Sequence, residues 1–289
     1  MTSSLKRHDD GTLEITITLP WEVVSKEHAE TVTKFIEQVE VKGFRKGKAP
    51  RELAEKQLDN AKVYEEAIRH LVPDAYETAI KEQKIRPIMQ PDIHLKKAKE
   101  GEAWEVVMYT CEKPEVDIKK YKEVVQRARG EMKKDELILP GKEPQSDKKE
   151  TADEKKQKQL NAVLDALLKE IDIKIPGILL TEDVNRRLST FVDQLTKLGL
   201  TIDTYCKSKG ITPDQLRKQY EDEARNTYKL EFILEEVAEN EKVTVGDSEI
   251  EAVITKTADA KEREALQHNK YYIASLLRRQ KTLDKLLSL

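Results

Sequence analysis

The chain has 289 residues, of which 37% are charged and 38% hydrophobic, with few aromatics and a net charge of −3. That length accommodates two domains with separate cores, and the composition favours helices with one buried stripe and broad solvated faces over a thick globular core. A slightly acidic balance excludes nucleic-acid binding over the whole surface, so any electrostatic docking has to be local.

Met1 to Gly11 is polar and lacks the apolar run of a secretory signal, and no later stretch has the length and apolarity to span a membrane, so a cytoplasmic location is expected. Leu13, Ile15, Ile17 and Leu19 alternate with Thr12, Glu14, Thr16 and Thr18, the period of a strand with one buried face. After Pro20 the period becomes helical, with Val32, Phe35, Ile36 and Val39 on one stripe and an end expected at Lys42-Gly43. The octet Gly43-Phe44-Arg45-Lys46-Gly47-Lys48-Ala49-Pro50 follows, flanked by Lys42 and Arg51, and residues 42–51 contain no carboxylate. Glycines open backbone turns closed to other residues, Pro50 blocks a helix from running through, and Phe44 has no apolar neighbour in the loop. The expected object is a tight basic loop presenting one aromatic ring, suited to an RNA-rich or acidic surface. It is not a phosphate-binding P-loop, which needs four residues between its glycines and Ser or Thr after the Lys.

A second amphipathic stretch runs through Ala67, Ile68, Leu71, Val72, Ala75, Tyr76, Ala79 and Ile80, where Pro73 is expected to kink or divide the helix. Residues Ile85 to Leu95 read as extended, broken by Pro87 and Pro91. A strand follows over Ala103 to Glu112, with Trp104, Val106 and Met108 on one face and Val107, Tyr109 and Cys111 on the other. This order predicts a small α+β domain, an antiparallel sheet with helices on one face.

The octet resembles the ribosome-docking signature of trigger factor, the bacterial chaperone family that meets nascent chains at the exit tunnel. The similarity takes in the flanking strand, helices and closing strand, and ends at Pro114-Glu115-Val116-Asp117, so the first domain is placed at 1–115. It implies docking through Gly43, Phe44, Arg45, Lys46, Gly47 and Lys48. Phe44 would enter an apolar notch of a large-subunit exit-tunnel protein, and Arg45 and Lys46 would meet acidic side chains or RNA phosphate.

Residues 116–158 are rich in Lys, Glu, Asp and Gln and contain Pro140-Gly141 and Pro144, with little apolar periodicity. They read as a charged linker, extended or disordered. Here the chain departs from the usual family plan, which places an FKBP-like prolyl isomerase domain between the two ends; this stretch is too short and too polar for one.

Residues 159–289 read as helical throughout. Leu160, Val163, Leu164, Leu167, Leu168 and Ile171 share a stripe, and Pro176-Gly177 marks a break. Val184, Leu188, Phe191, Leu195 and Leu198 then form a heptad-like seam. Gly199 and Gly210 bracket a short helix, and Thr212-Pro213-Asp214-Gln215 is a capping box with proline at the first helical position. Val243-Thr244-Val245 is β-prone, Gly246-Asp247 opens a helix around Ile250 and Val253, and Tyr272 to Leu287 carries the last stripe. The order is similar to the family's C-terminal domain, which implies long helical arms that cradle clients. Most of Phe191, Tyr205, Tyr220, Tyr228, Phe232, Tyr271 and Tyr272 are expected in the core.

Catalytic and cofactor chemistry finds no foothold. His8, His28, His70, His94 and His268 are scattered without a partner three or four residues on, Cys111 and Cys206 form no CxxC pair, and no serine elbow or dinucleotide loop is present. No catalytic residue, metal or cofactor is expected, and the widely spaced cysteines fit a reducing compartment. The expected function is an ATP-independent chaperone that docks at the ribosomal exit tunnel and shields nascent polypeptides during folding and export. Its expected partners are the ribosome and unfolded chains, without DNA or membrane, and with a weak homodimer allowed. The alternatives are a helical scaffold or adaptor with a basic docking loop, or a prolyl isomerase if the family activity is retained.

Overall fold

A computed structural model describes all residues except 42, 46, 136–151 and 258, and the side chains of all but those and 132–135, 152 and 260. The chain separates into two compact units, Met1–Lys113 with Pro176–Leu179, and Pro114–Ile175 with Leu180–Leu289.

The first unit is built on an antiparallel sheet of β1 (Thr2–Arg7), β2 (Thr12–Leu19), β3 (Asp92–Lys97) and β4 (Trp104–Cys111), in the order β1-β2-β4-β3. The register pairs Ile15 with Met108, Ile17 with Val106 and Leu19 with Trp104, so the alternating residues of both central strands line one face. On that face lie helices α1 (Trp21–Gln38) and α3 (Asn60–Gln83), which contribute Val24, Val72, Ala75 and Ala79 to the buried cluster. The small side chains of Ala75 and Ala79 let the α3 backbone come close to the sheet. Asp59 caps α3 by accepting from the Ala61 N–H, and Lys84, left-handed at φ 53°, closes it. Short α2 (Arg51–Glu55) lies between the two long helices in sequence.

The structure adds to the reading of this unit at three places. Residues 2–7, to which the sequence assigned no element, form an edge strand, because pairing along β2 supplies the backbone bonds that their side chains do not predict. Helix α1 stops at Gln38, before the expected Lys42-Gly43, since Val39 is already extended. Helix α3 runs undivided through Pro73, which forfeits one backbone bond while its neighbours Val72 and Ala75 stay packed in the core.

The second unit holds α4 (Tyr121–Asp135), α5 (Ala152–Glu170), most of α6 (Gly177–Lys197), α7 (Ile202–Lys209), α8 (Pro213–Asn240), α9 (Asp247–Lys256), α10 (Ala260–His268) and α11 (Lys270–Ser288). Helix α4 packs on α5, and α5, α8 and α11 pack on one another. Val125, Val163, Leu167, Ile233, Val237 and Leu286 are fully buried. The capping box of α8 has both bonds: Thr212 Oγ1 accepts from the Gln215 N–H at 3.1 Å, and Gln215 Oε1 accepts from the Thr212 N–H at 2.8 Å.

The linker expectation is corrected where the chain is described. Residues 121–135 and 152–158 are helical, and Tyr121, Val124, Val125 and Ala128 form a buried stripe on α4. The remainder, 136–151, falls outside the described residues. Glu241 ties the start of α4 to the body: its carboxylate accepts from the Tyr121 hydroxyl at 2.5 Å and pairs with Lys122 at 2.7 Å and Lys285 at 3.8 Å. Hydrogen bonds from Lys122 and Tyr121 hold this carboxyl below its ordinary range, while burial and Glu241 raise the phenol of Tyr121. The β-prone Val243-Thr244-Val245 joins no strand; its Val243 and Thr244 carbonyls accept from Arg278 and Lys281 of α11.

Candidate docking site

The basic loop begins where α1 ends. The Val39 N–H closes on the Phe35 carbonyl at 2.9 Å, and Val41 turns into the protein and is buried. The Phe44 N–H then donates to Val41 O and the Lys48 N–H to Arg45 O, both at 2.9 Å, so the octet contains two successive tight turns. Each turn needs a glycine. Gly43 has φ 91° and Gly47 φ 72°, and a Cβ on Gly47 would lie 2.8 Å from the Glu37 carbonyl oxygen. Pro50, at φ −53°, precedes the first residue of α2.

These turns hold Phe44 outward at 45% exposure, between the exposed Gly43 and Arg45. Arg45 and Lys48 are exposed and have no carboxylate partner among the described residues, so both charges are free to meet a partner. Arg51 is different: its guanidinium is paired with Glu55 at 2.6 Å within α2. Lys42 and Lys46 lie outside the described residues. The structure therefore brings Gly43, Phe44, Arg45, Gly47 and Lys48 together in one short loop and does not speak to Lys46.

Leu53 of α2 is also exposed, a residue the sequence reading passed over. The pentapeptide Arg51-Glu52-Leu53-Ala54-Glu55 gives no local sign of this, because packing decides that Ala54 takes the buried position and leaves Leu53 outside. Elsewhere α1 and α3 are braced by an aromatic row: the rings of His28 and Tyr64 meet at a tilt with centroids 4.2 Å apart, and Tyr64 lies 5.3 Å from Trp104. Burial lowers the pKa of His28.

The other chemistry-bearing residues are engaged structurally. His8, His70 and His94 contact Glu14, Glu27 and Asp92 at 2.8–2.9 Å. Cys111 is buried, which pushes its thiol up to about 11, and Cys206 is buried as well. Among the described residues no group of three or more His, Cys, Asp or Glu side chains could hold a metal ion.

The helical unit presents apolar side chains to solvent at two places. Val192, Leu198 and Leu200 lie around the α6–α7 junction, and Tyr271, Tyr272 and Leu276 lie on the first turns of α11. Tyr271 is 90% exposed and Tyr272 is exposed as well, so these two stand apart from the other five aromatics of residues 159–289. Phe232 is buried, while Phe191 packs between Tyr205 and Tyr220 at 4.9 and 6.1 Å.

Comparison with known proteins gives the family. Residues 1–138 match the family model for bacterial trigger factor protein, and residues 145–288 match the model for its C-terminus. The chain belongs to the trigger factor family. It is 20% identical to the trigger factor of Natranaerobius thermophilus over 393 aligned positions, covering 92% of this chain and 88% of that one. That alignment is longer than the chain itself, so the relative carries stretches with no counterpart here. It is 33% identical to the trigger factor of Staphylococcus aureus strain JH9 over 138 residues, 47% of this chain and 32% of that one. A solved trigger factor chaperone, studied for promiscuous substrate recognition in folding and assembly, matches with a TM-score of 0.63 at 14% identity. That match covers 100% of this chain and 99% of that one, and it supports the fold. The two family matches leave only residues 139–144 between them, which is no room for an isomerase domain. Among the described residues no helix is long and apolar enough to cross a membrane.

Proposed function

We propose that this member of the trigger factor family is an ATP-independent cytoplasmic chaperone. It docks at the ribosomal exit tunnel through residues 43–48 and shields emerging polypeptides with its helical unit. The observation that carries the reading is Phe44, exposed on a loop with two left-handed glycines, beside Arg45 and Lys48, which have no carboxylate partner among the described residues. An exposed aromatic flanked by free cations fits an apolar notch with an acidic or phosphate rim. The exposed Val192, Leu198, Leu200, Tyr271, Tyr272 and Leu276 support weak contact with unfolded segments. Without a nucleotide motif, release depends on shallow contacts and fast exchange. The chain carries no prolyl isomerase activity on this reading, and a proline-limited refolding assay should find no acceleration.

Cosedimentation with ribosomes across a salt series tests docking. The wild type should bind more weakly as salt rises, and Phe44→Ala with Arg45→Ala should lose binding at every salt concentration. Binding that ignores both the substitutions and the salt would sink the proposal.

A further inference from the structure

Strand β3 ends the sheet, and among the described residues its outer edge has no backbone partner. The register sets Ile93 beside Met108 and Leu95 beside Val106, so both lie on the face that carries the core. They are nonetheless 46% and 43% exposed, unusual for branched aliphatic residues there. At Leu95 the same face opens into a groove of about 320 Å³, whose walls include Tyr64 and Ile68 of α3, Leu95 and Trp104. The only charged side chains lining it, among the described residues, are Glu65 and Glu100. Nearby lysines are drawn elsewhere: Lys96 and Lys97 reach Glu14 and Glu105 on the opposite face of the sheet, at 3.9 and 3.3 Å, and Lys99 is bonded to Glu102. Glu65 meets Arg69 at 3.6 Å along α3, with both side chains exposed, and Glu100 forms no ion pair among the described residues. The His28 ring against Tyr64 adds no cation at neutral pH, because burial lowers its pKa.

We propose that the β3 edge and this groove form a peptide-binding site for extended segments in which two apolar residues alternate with polar ones and a lysine or arginine takes the next position on the same face. Such a segment pairs with residues 92–95, the stretch before the bulge between Leu95 and Lys97. Its same-face side chains recur about every 7 Å, so the apolar pair covers Ile93 and Leu95 while the cation extends toward Glu65 and Glu100. Lysines and bulges commonly blunt sheet edges. Here the bulge falls after the paired stretch and the lysines are held on the other face, which leaves this side open and acidic. Backbone bonds serve any extended segment, and the two carboxylates select for a cationic one. So short a pairing predicts a dissociation constant on the order of 0.1 mM. The site shares no residue with the basic loop or with the exposed apolar side chains of the helical unit.

Fluorescence anisotropy tests the site with the full chain and an end-blocked, fluorescein-labelled peptide, Lys-Ser-Leu-Ser-Leu-Ser-Lys, which reads alike in both strand directions. Replacing both peptide lysines by glutamate should weaken binding roughly tenfold. The double variant Glu65→Lys with Glu100→Lys should reverse that preference, which a folding defect could not do. Leu95→Ser should weaken binding roughly fivefold. Alternate N–H groups point to the same side of a strand, so N-methylation of both leucines or of all three serines should abolish binding in one case and spare it in the other. The proposal is overturned by absence of binding into the millimolar range, by affinity indifferent to peptide charge, or by tolerance of both N-methylated peptides. Binding lost in Leu198→Ser with Tyr271→Ser but kept in Leu95→Ser would put the peptide on the helical unit, and overturn it as well. No ribosomes are present, so any of these results leaves docking through residues 43–48 to its own assay.

Discussion

Replacing Gly47 by alanine separates the shape of the basic loop from its composition. Left-handed backbone at φ 72° costs an alanine about 1 kcal/mol relative to glycine. The new Cβ would also lie 2.8 Å from the Glu37 carbonyl oxygen, a backbone atom that cannot swing aside as a side chain can, and displacing it adds about 1 kcal/mol. Gly43 is the control, with φ 91° but nothing within 4 Å of an added Cβ, so Gly43→Ala carries the conformational share alone. The chain's two tryptophans, Trp21 and Trp104, both belong to the first unit, so their fluorescence in urea follows that unit by itself. This matters because a chain of two units need not unfold in one step. If the loop relaxes locally instead, the same free energy appears as a smaller docking-competent population. Ribosome affinity then falls roughly thirtyfold for Gly47→Ala and fivefold for Gly43→Ala. Equal effects of the two substitutions, in urea and in cosedimentation alike, would refute the reasoning.

Tyr121→Phe removes the hydroxyl that donates to Glu241 and should cost the helical unit about 1 kcal/mol, read by helical circular dichroism in urea. Because the Glu241 carboxyl is held below its ordinary range, its stabilisation is present above the unfolded carboxylate range and lost as pH falls through the lowered value. Glu241→Gln should therefore flatten the acid limb of the stability–pH curve; an unchanged limb would show that the cluster contributes nothing. Leu167 is fully buried on α5, and Leu167→Ala should cost about 2–5 kcal/mol. Leu198→Ser with Tyr271→Ser should change stability by less than about 0.5 kcal/mol. It should nonetheless weaken suppression of client aggregation, measured by light scattering.

Periodicity carried the fold wherever one face dominates. Leu13 to Leu19 announces its strand because buried residues alternate along it, Trp104 to Cys111 does so through its run of β-prone apolar residues, and Thr212 with Gln215 announces its helix through a local bond. Reading failed where stabilisation comes from elsewhere in the chain. Strand β1 has few apolar side chains of its own and is ordered by pairing along β2. Helix α4 does carry its stripe in the sequence, at Tyr121, Val124, Val125 and Ala128, but Lys, Arg and Glu at the intervening positions gave the segment the composition of a linker. Average polarity hid a helix that spacing would have revealed.

The basic loop was legible for a different reason, since its residues make sense only as a set. An exposed phenylalanine gains nothing within the chain, and left-handed backbone is conformationally restrictive for any residue but glycine. Yet Val41 anchors the entry to the loop, Gly43 and Gly47 allow its two turns, and Pro50 separates it from α2. The result leaves Phe44 45% exposed instead of packed in the core. Leu53 escaped notice because it depends on which residue of a five-residue helix Ala54 displaces from the core, and that is decided by packing rather than by pattern. A side chain kept outward by local geometry was therefore readable from local sequence, while one left outward by tertiary packing was not.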